Sequence, residues 1–265
     1  DVKIECAYIK VNSKLVVGST NYIEIQDDLV LDGEIRLVGD GQLIQTHSST
    51  SKVHGTGKLY KDQQAKVPNV YRYHYWSSPV IEAGLNTYRV GEVLRDGVDP
   101  TDETSIPQPI TWTTGYDGAP GSGTYPSSYT PITLSNYWIY TNLNDPGDGS
   151  AWVQKKETGL INAGQGFSMK STGDVPQNLT FLGTPNDGTI IFNIDPEPAT
   201  HLLGNPYPSA LDMTDFINDN ISSIDGTLYF WEHTGEDSAT LNGSEGHNQL
   251  DYQGREKKPP PTVNF

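Results

Sequence analysis

Residues 8–45 read YIKVNSKLVVGSTNYIEIQDDLVLDGEIRLVGDGQLIQ, and one pattern is written twice in them, 20 residues apart. Ile9 recurs as Leu29, Val11 as Leu31, Leu15 as Ile35, Val17 as Leu37 and Ile23 as Leu43, so every matched position is aliphatic. Within each copy apolar and polar residues alternate, as in Tyr22-Ile23-Glu24-Ile25, which turns one face of a short strand inward. Turn formers mark the corners: Asn12-Ser13, Gly18-Ser19, Asp32-Gly33 and Gly39-Asp40-Gly41. Such a segment cannot bury its apolar face alone. Equal spacing in successive copies therefore predicts stacked coils, a right-handed β-solenoid over residues 1–62. Two clear copies, with flanking halves at 2–6 and 53–60, are fewer than a free-standing solenoid needs. The chain is accordingly expected to continue a longer stack on its amino-terminal side. Cys6, in the alternating run Val2, Ile4, Cys6, reads as a small inward hydrophobe.

Beyond the linker at 63–69 the period disappears. Fifteen Tyr and 5 Trp, set among 27 Gly and 18 Pro, describe short strands joined by many turns, so the whole chain is expected to be all-β. Tyr71-Arg72-Tyr73-His74-Tyr75-Trp76 alternates aromatic residues on a strand, with His74 toward solvent. Further strands are expected at 88–93, 132–134, 138–141, 151–154, 166–170, 179–182, 189–194, 202–203 and 226–231. Their irregular spacing predicts an antiparallel β-sandwich over 67–253. Trp76, Trp138, Trp152 and Trp231 fall in strand patterns and are assigned to its core. One short helix is expected from Leu211 to Asn218, capped by Ser209 or Asp212. The Gly-, Pro-, Ser- and Tyr-rich stretch 113–130 reads as a long loop, and the tail 254–265 as a proline-rich linker.

Thirty-three acidic against 17 basic residues give a formal net charge of -16, which opposes binding to nucleic acid or to an anionic membrane surface. No run approaches the roughly 20 apolar residues of a membrane-spanning helix, so direct membrane insertion is not expected. Calcium prefers six to eight oxygens, and acidic loops supply them. Asp145 and Asp148, within Asn144-Asp145-Pro146-Gly147-Asp148-Gly149, are the leading candidates, followed by Asp99 and Asp102. No serine sits in a nucleophile elbow, and the six histidines lack metal-ligand spacing. Aromatic residues around the long loop offer a different chemistry. Trp112, Tyr116, Tyr125 and Tyr129 could stack on apolar sugar faces while Asp117, Asn136 and Asn142 bind hydroxyls; the alternative is that the rings pin the loop.

Five blocks carry a resemblance: Tyr73-His74-Tyr75-Trp76-Ser77-Ser78-Pro79-Val80, Trp112-Thr113-Thr114-Gly115-Tyr116-Asp117-Gly118, Gly164-Gln165-Gly166-Phe167-Ser168-Met169-Lys170, 203–211 with its Gly204-Asn205-Pro206-Tyr207-Pro208 core, and Gly226-Thr227-Leu228-Tyr229-Phe230-Trp231-Glu232-His233. In order, and over residues 20–253, they resemble large secreted surface proteins of Bacteroidota, especially flavobacteria, exported by the type IX secretion system. The resemblance implies an extracellular or cell-surface location and an adhesin-like role, with no site residue carried over. It also implies O-glycosylation at Asp-Ser or Asp-Thr motifs, for which Ser238 in Asp237-Ser238-Ala239 is the candidate.

Together these features predict a non-enzymatic extracellular module, a structural or adhesive part of a larger secreted protein or fibre. Its expected partners are extracellular glycans or other copies and domains of the same surface protein. The alternative is a carbohydrate-binding module using loop 112–130, with calcium in support. A polysaccharide-degrading enzyme is the third reading.

Overall fold

A computed structural model describes residues 1–47, 50–65, 70, 72–99, 102, 104–173, 176–195 and 199–229. Trp231, Ser238 and the tail 254–265 lie outside the described residues. Nine short strands form the repeat: β1 (Val2–Ile4), β2 (Ala7–Ile9), β3 (Lys14–Val17), β4 (Tyr22–Ile25), β5 (Leu29–Leu31), β6 (Glu34–Leu37), β7 (Gln42–Gln45), β8 (Val53–His54) and β9 (Lys58–Ala65). They stack in parallel as three sheets, β1-β4-β7, β2-β5-β8 and β3-β6-β9. Each coil therefore contributes one strand to each of three sides, a β-solenoid-like arrangement. The inward residues Ile25, Leu29, Leu31, Ile35, Leu37, Leu43 and Leu59 are all buried. Burying a side chain of this kind contributes about 1.5–3 kcal/mol, which holds together coils that no single strand could stabilise.

The register agrees with the sequence repeat on two sides and departs from it on the third. Leu15 pairs with Ile35, Val17 with Leu37 and Ile23 with Leu43, as the repeat predicts. Leu29, however, sits over Ala7, and Leu31 over Ile9. The corner from Lys10 to Ser13 holds more residues than the corner Asp32-Gly33 one coil above, so the alignment slips by two residues there. A slip of two preserves the inward face, which is why the pattern conceals it. Val11 is consequently a corner residue and 63% exposed. Cys6 is corrected in the same way, since β1 ends at Ile4 and Cys6 lies exposed in the next corner.

Twelve further strands complete the order: β10 (Tyr73–Trp76), β11 (Val80–Ile81), β12 (Thr87–Tyr88), β13 (Leu94–Asp96), β14 (Gln108–Pro109), β15 (Thr111–Thr113), β16 (Thr133–Ser135), β17 (Tyr140–Asn142), β18 (Trp152–Gln154), β19 (Ile161–Asn162), β20 (Phe167–Lys170) and β21 (Gln177–Pro185). The solenoid does not end in a free edge on this side. β21 pairs antiparallel with β9 over seven residues, from Gln177 against Ala65 to Gly183 against Leu59, and β13 and β14 extend the sheet further. One seven-stranded sheet, parallel at one end and antiparallel at the other, thus joins the repeat to the carboxy-terminal strands. A four-stranded antiparallel sheet, β10-β20-β17-β18, lies apart from it in the hydrogen-bonding pattern.

Two helices are present among the described residues. α1 (Val90–Val93) stands where the sequence predicts a strand, because Val90 and Val93, three residues apart, both turn into the core. α2 (Met213–Asn220) is capped by Asp212, whose carboxylate accepts from the Thr214 and Asp215 amides. Residues 189–194 form no strand, and Ile191 is 81% exposed there. The stretch 113–130 curls back on itself, with Ser122 bridged to Thr130 and Ala119 to Thr133.

Candidate functional site

The four-stranded sheet alternates its side chains between two faces. Trp76, Phe167 and Met169 point into the core or pack against it. The opposite face collects Tyr73 and Tyr75 of β10, Ser168 and Lys170 of β20, Tyr140 of β17 and Gln154 of β18, all brought together by the registers Tyr73 to Lys170, Tyr75 to Ser168 and Tyr140 to Gln154. Trp152, on the edge strand β18, stacks on Tyr75 with ring centroids 6.3 Å apart and planes at 21°. At the other end Tyr73 meets Trp138 edge-on at 5.6 Å, and Trp138 meets Tyr137 at 4.7 Å. Tyr116 completes the group, 4.9 Å from Tyr137 and 5.7 Å from Trp138. These edge-to-face and offset contacts are the arrangements that ring quadrupoles favour.

Hydrogen bonds fix the rings from behind. Trp138 Nε1 donates to the Tyr116 carbonyl at 2.8 Å, and Gln154 Nε2 donates to the Tyr137 carbonyl at 2.8 Å and to the Tyr140 hydroxyl at 3.2 Å. Burial, followed by the neighbouring Tyr137, pushes the Tyr140 phenol upward, so it stays protonated and able to donate. Lys170 is only 2% exposed, with Nζ 4.1 Å from the Trp138 ring centroid and 4.9 Å from that of Tyr73. Cation–π attraction to that buried ammonium helps hold both rings in place. The outcome is a half-exposed aromatic face with an exposed carboxamide at Gln154 and an exposed ring at Tyr116. Chemically such a face binds by stacking and hydrogen bonding.

Of the five loop residues that the sequence singles out, only Tyr116 joins this face. Trp112 packs partly buried against the core, and Asp117 is exposed beside Tyr116. Tyr125 accepts a hydrogen bond from the Ile106 amide at 2.8 Å, and Tyr129 donates to Asp96 Oδ2 at 2.7 Å. Both rings are therefore used in pinning the loop. Burial, together with the Asp96 carboxylate, pushes the Tyr129 phenol well above its ordinary value. Trp138 and Trp152, assigned to the core from sequence, are half-buried members of the face. The signal for this face lay in Tyr137, Trp138 and Tyr140 around β17, but their grouping depends on strands far apart in the chain.

Three of the four acidic candidates, Asp145, Asp148 and Asp102, hold turns through their carboxylates. Asp145 is buried; its Oδ1 accepts from the amides of Gly147 and Gly149 at 2.8 and 3.0 Å, and its Oδ2 from Asn142 Nδ2 at 2.7 Å. Burial pushes its carboxyl upward, yet these hydrogen bonds outweigh it and hold the group below the ordinary carboxylate value. Asp148 accepts from the Ser150 amide, and Asp102 from the amide and hydroxyl of Thr104; both are likewise held low by these bonds. The Asp102 carbonyl accepts from Ser105 Oγ at 2.8 Å, and the Asp99 carbonyl lies 3.3 Å from the same hydroxyl. Among the described residues one group of three side chains has metal-ligand proximity, Cys6, Asp27 and Asp28. There Asp27 is ion-paired with Lys52, and Asp28 lies 3.3 Å from His54 Nε2.

Residues 111–256, more than half of the chain, match the model of a family described as a domain of unknown function (DUF8693). No curated protein and no solved structure matches the chain.

Proposed function

The chain belongs to the DUF8693 family, and we propose that it serves as a non-enzymatic extracellular module, a structural or adhesive part of a larger surface protein of the type IX-exported kind found in Bacteroidota. The observation that carries this reading is the β9–β21 pairing, which makes the third side of the solenoid continuous with the sheet beyond it. A load applied along the coils passes through backbone hydrogen bonds into the neighbouring sheet, as a rigid spacer requires. A right-handed solenoid leading into an antiparallel sandwich is the finer form of this proposal, supported by the antiparallel pairings of β10 with β20, β17 with β18 and β13 with β21. Protease treatment of intact cells that produce the protein is the test. Cleavage from the cell surface is expected, and recovery of uncut protein solely from the cytosol removes the proposal.

A second reading, carbohydrate binding, is favoured by one specific observation: the rings of Tyr73, Tyr75, Tyr116, Tyr137, Trp138, Tyr140 and Trp152 gathered on a single face. Calcium belongs to this reading only through the loop acids Asp99, Asp102, Asp145 and Asp148. A glycan array probed with calcium and again with chelator tests both ideas. Binding to no glycan under either condition rejects the reading, and identical profiles reject the calcium support.

A further inference from the structure

An open cleft of about 590 Å³ lies among β9, β10 and the turn 203–210, whose Pro208 carbonyl and Ala210 amide are hydrogen-bonded to Leu43 and Gln42 of β7. Its volume is in the range of small-molecule sites. Tyr75 and Trp76 from β10 and Tyr207 from the turn line it, together with Gln63 and Gln64 at the end of β9. The two glutamines are exposed, and their carboxamides make no hydrogen bond to other described residues. A carboxamide both donates and accepts, which matches a sugar hydroxyl that does the same. Trp76 Nε1 is buried with no hydrogen-bond partner, an incomplete donor in the same wall. Tyr75 lines this cleft and its ring stacks on Trp152 on the other face of the sheet, so the cleft and the aromatic face meet around the edge strand β10.

From this placement we propose that the cleft binds a neutral, linear polysaccharide whose chain continues from Gln63 and Gln64 past Tyr75 toward Trp152, an inference that rests on the carbohydrate-binding reading. Continuity with the face argues for a chain over a single sugar. Neutrality follows from charge. The cleft holds one carboxylate, Asp40, and one ammonium, Lys61, which is committed to the carbonyls of Gly39 and Gly41. A formal net charge of -16 repels a polyanionic glycan at long range.

Native affinity electrophoresis tests the proposal, using gels that contain galactomannan, mixed-linkage β-glucan, xylan or alginate. Wild-type protein is compared with Gln63→Ala/Gln64→Ala and with Tyr116→Ala. Because both glutamines are exposed, an unchanged melting temperature checks that the double variant is folded. Retardation in at least one neutral gel and none in alginate is expected, with the double variant weakened about tenfold, the effect of losing one or two good hydrogen bonds. Undiminished retardation of the double variant beside a loss in Tyr116→Ala overturns the cleft and leaves the aromatic face as the glycan site. Alginate retardation equal to that in a neutral gel overturns the ligand class, and no retardation of wild type in any gel overturns the carbohydrate reading itself.

Discussion

Arg36 Nε donates to Asp62 Oδ2 at 2.8 Å, and both side chains are fully buried between the second and third coils. The pair is closed on every side. Arg36 Nη1 donates to the Ser105 carbonyl at 2.6 Å, and Thr180 Oγ1 donates to Asp62 Oδ1 at 2.5 Å, so β6, β9, β21 and the loop before β14 meet at one point. Breaking one half of such a pair strands a buried charge. Asp62→Ala is expected to cost about 3–5 kcal/mol in urea denaturation, while the paired replacement Arg36→Met/Asp62→Leu costs clearly less, because no charge is left uncompensated. Equal losses in the two variants would show that the pair matters only through packing.

Glycines at the corners set how closely the coils stack. A Cβ on Gly57 would lie 2.2 Å from the Gly33 carbonyl oxygen, and one on Gly33 would lie 2.2 Å from that of Lys10. These are backbone oxygens held by the hydrogen bonds they accept, Gly33 O from the Lys58 amide and Lys10 O from the Ser13 amide, so neither neighbour can rotate away. Gly57→Ala is expected to destabilise the protein by about 1–3 kcal/mol, as overpacking of a fixed site does. Tyr22→Ala, on an outward position of β4, serves as the control in the same thermal melts, and a Gly57→Ala loss no greater than the control's contradicts the stacking argument.

The coils were legible in the sequence because each strand alternates with period two and each corner carries its own turn formers. Ile23 over Leu43 and Leu15 over Ile35 are the direct result. What stayed hidden was non-local. Nothing in Leu179 or Phe181 announces that they pair with Gln63 and Lys61, more than a hundred residues earlier, and the longer Lys10–Ser13 corner slipped one side by a whole strand period. The aromatic face escaped for the same reason. Tyr125 and Tyr129 look as available as Tyr116 in a Gly- and Pro-rich stretch, and only the positions of Ile106 and Asp96 show that their hydroxyls are engaged.

Acid should expose the role of Asp145. Its folded carboxyl is held below the ordinary value of 3.8, so the folded state binds this proton less readily than the unfolded chain. The stabilisation is therefore complete above about pH 4 and is lost as pH falls through the lower folded value. Asp145→Asn keeps an acceptor for Gly147 and Gly149 but sets one amide nitrogen against Asn142 Nδ2. At pH 7 it is expected to cost about 1–3 kcal/mol. The gap to wild type then narrows as pH falls below 3.8, which melting curves between pH 7 and pH 2 will follow. A gap independent of pH would assign the loss to packing.

Tyr129 and Tyr116 separate loop anchoring from ligand contact. Asp96 is buried, and its Oδ2 accepts from Tyr129 at 2.7 Å and from the Ile132 amide at 2.9 Å, while the Val98 amide donates to Oδ1 at 2.9 Å. Tyr129→Phe removes one of three donors to a buried carboxylate and is expected to cost about 1–3 kcal/mol of stability, in the range for hydrogen bonds to charged groups. Glycan retention should stay the same, since the hydroxyl faces Asp96. Tyr116 is 56% exposed, and of its polar groups the backbone carbonyl is the one that receives Trp138 Nε1. Tyr116→Ala therefore keeps that hydrogen bond, costs about 0.5–1.5 kcal/mol for its lost ring contacts with Tyr137 and Trp138, and weakens retention in whichever neutral gel holds the wild type. Reversed results, with retention lost in Tyr129→Phe and kept in Tyr116→Ala, would return the binding surface to the curled loop.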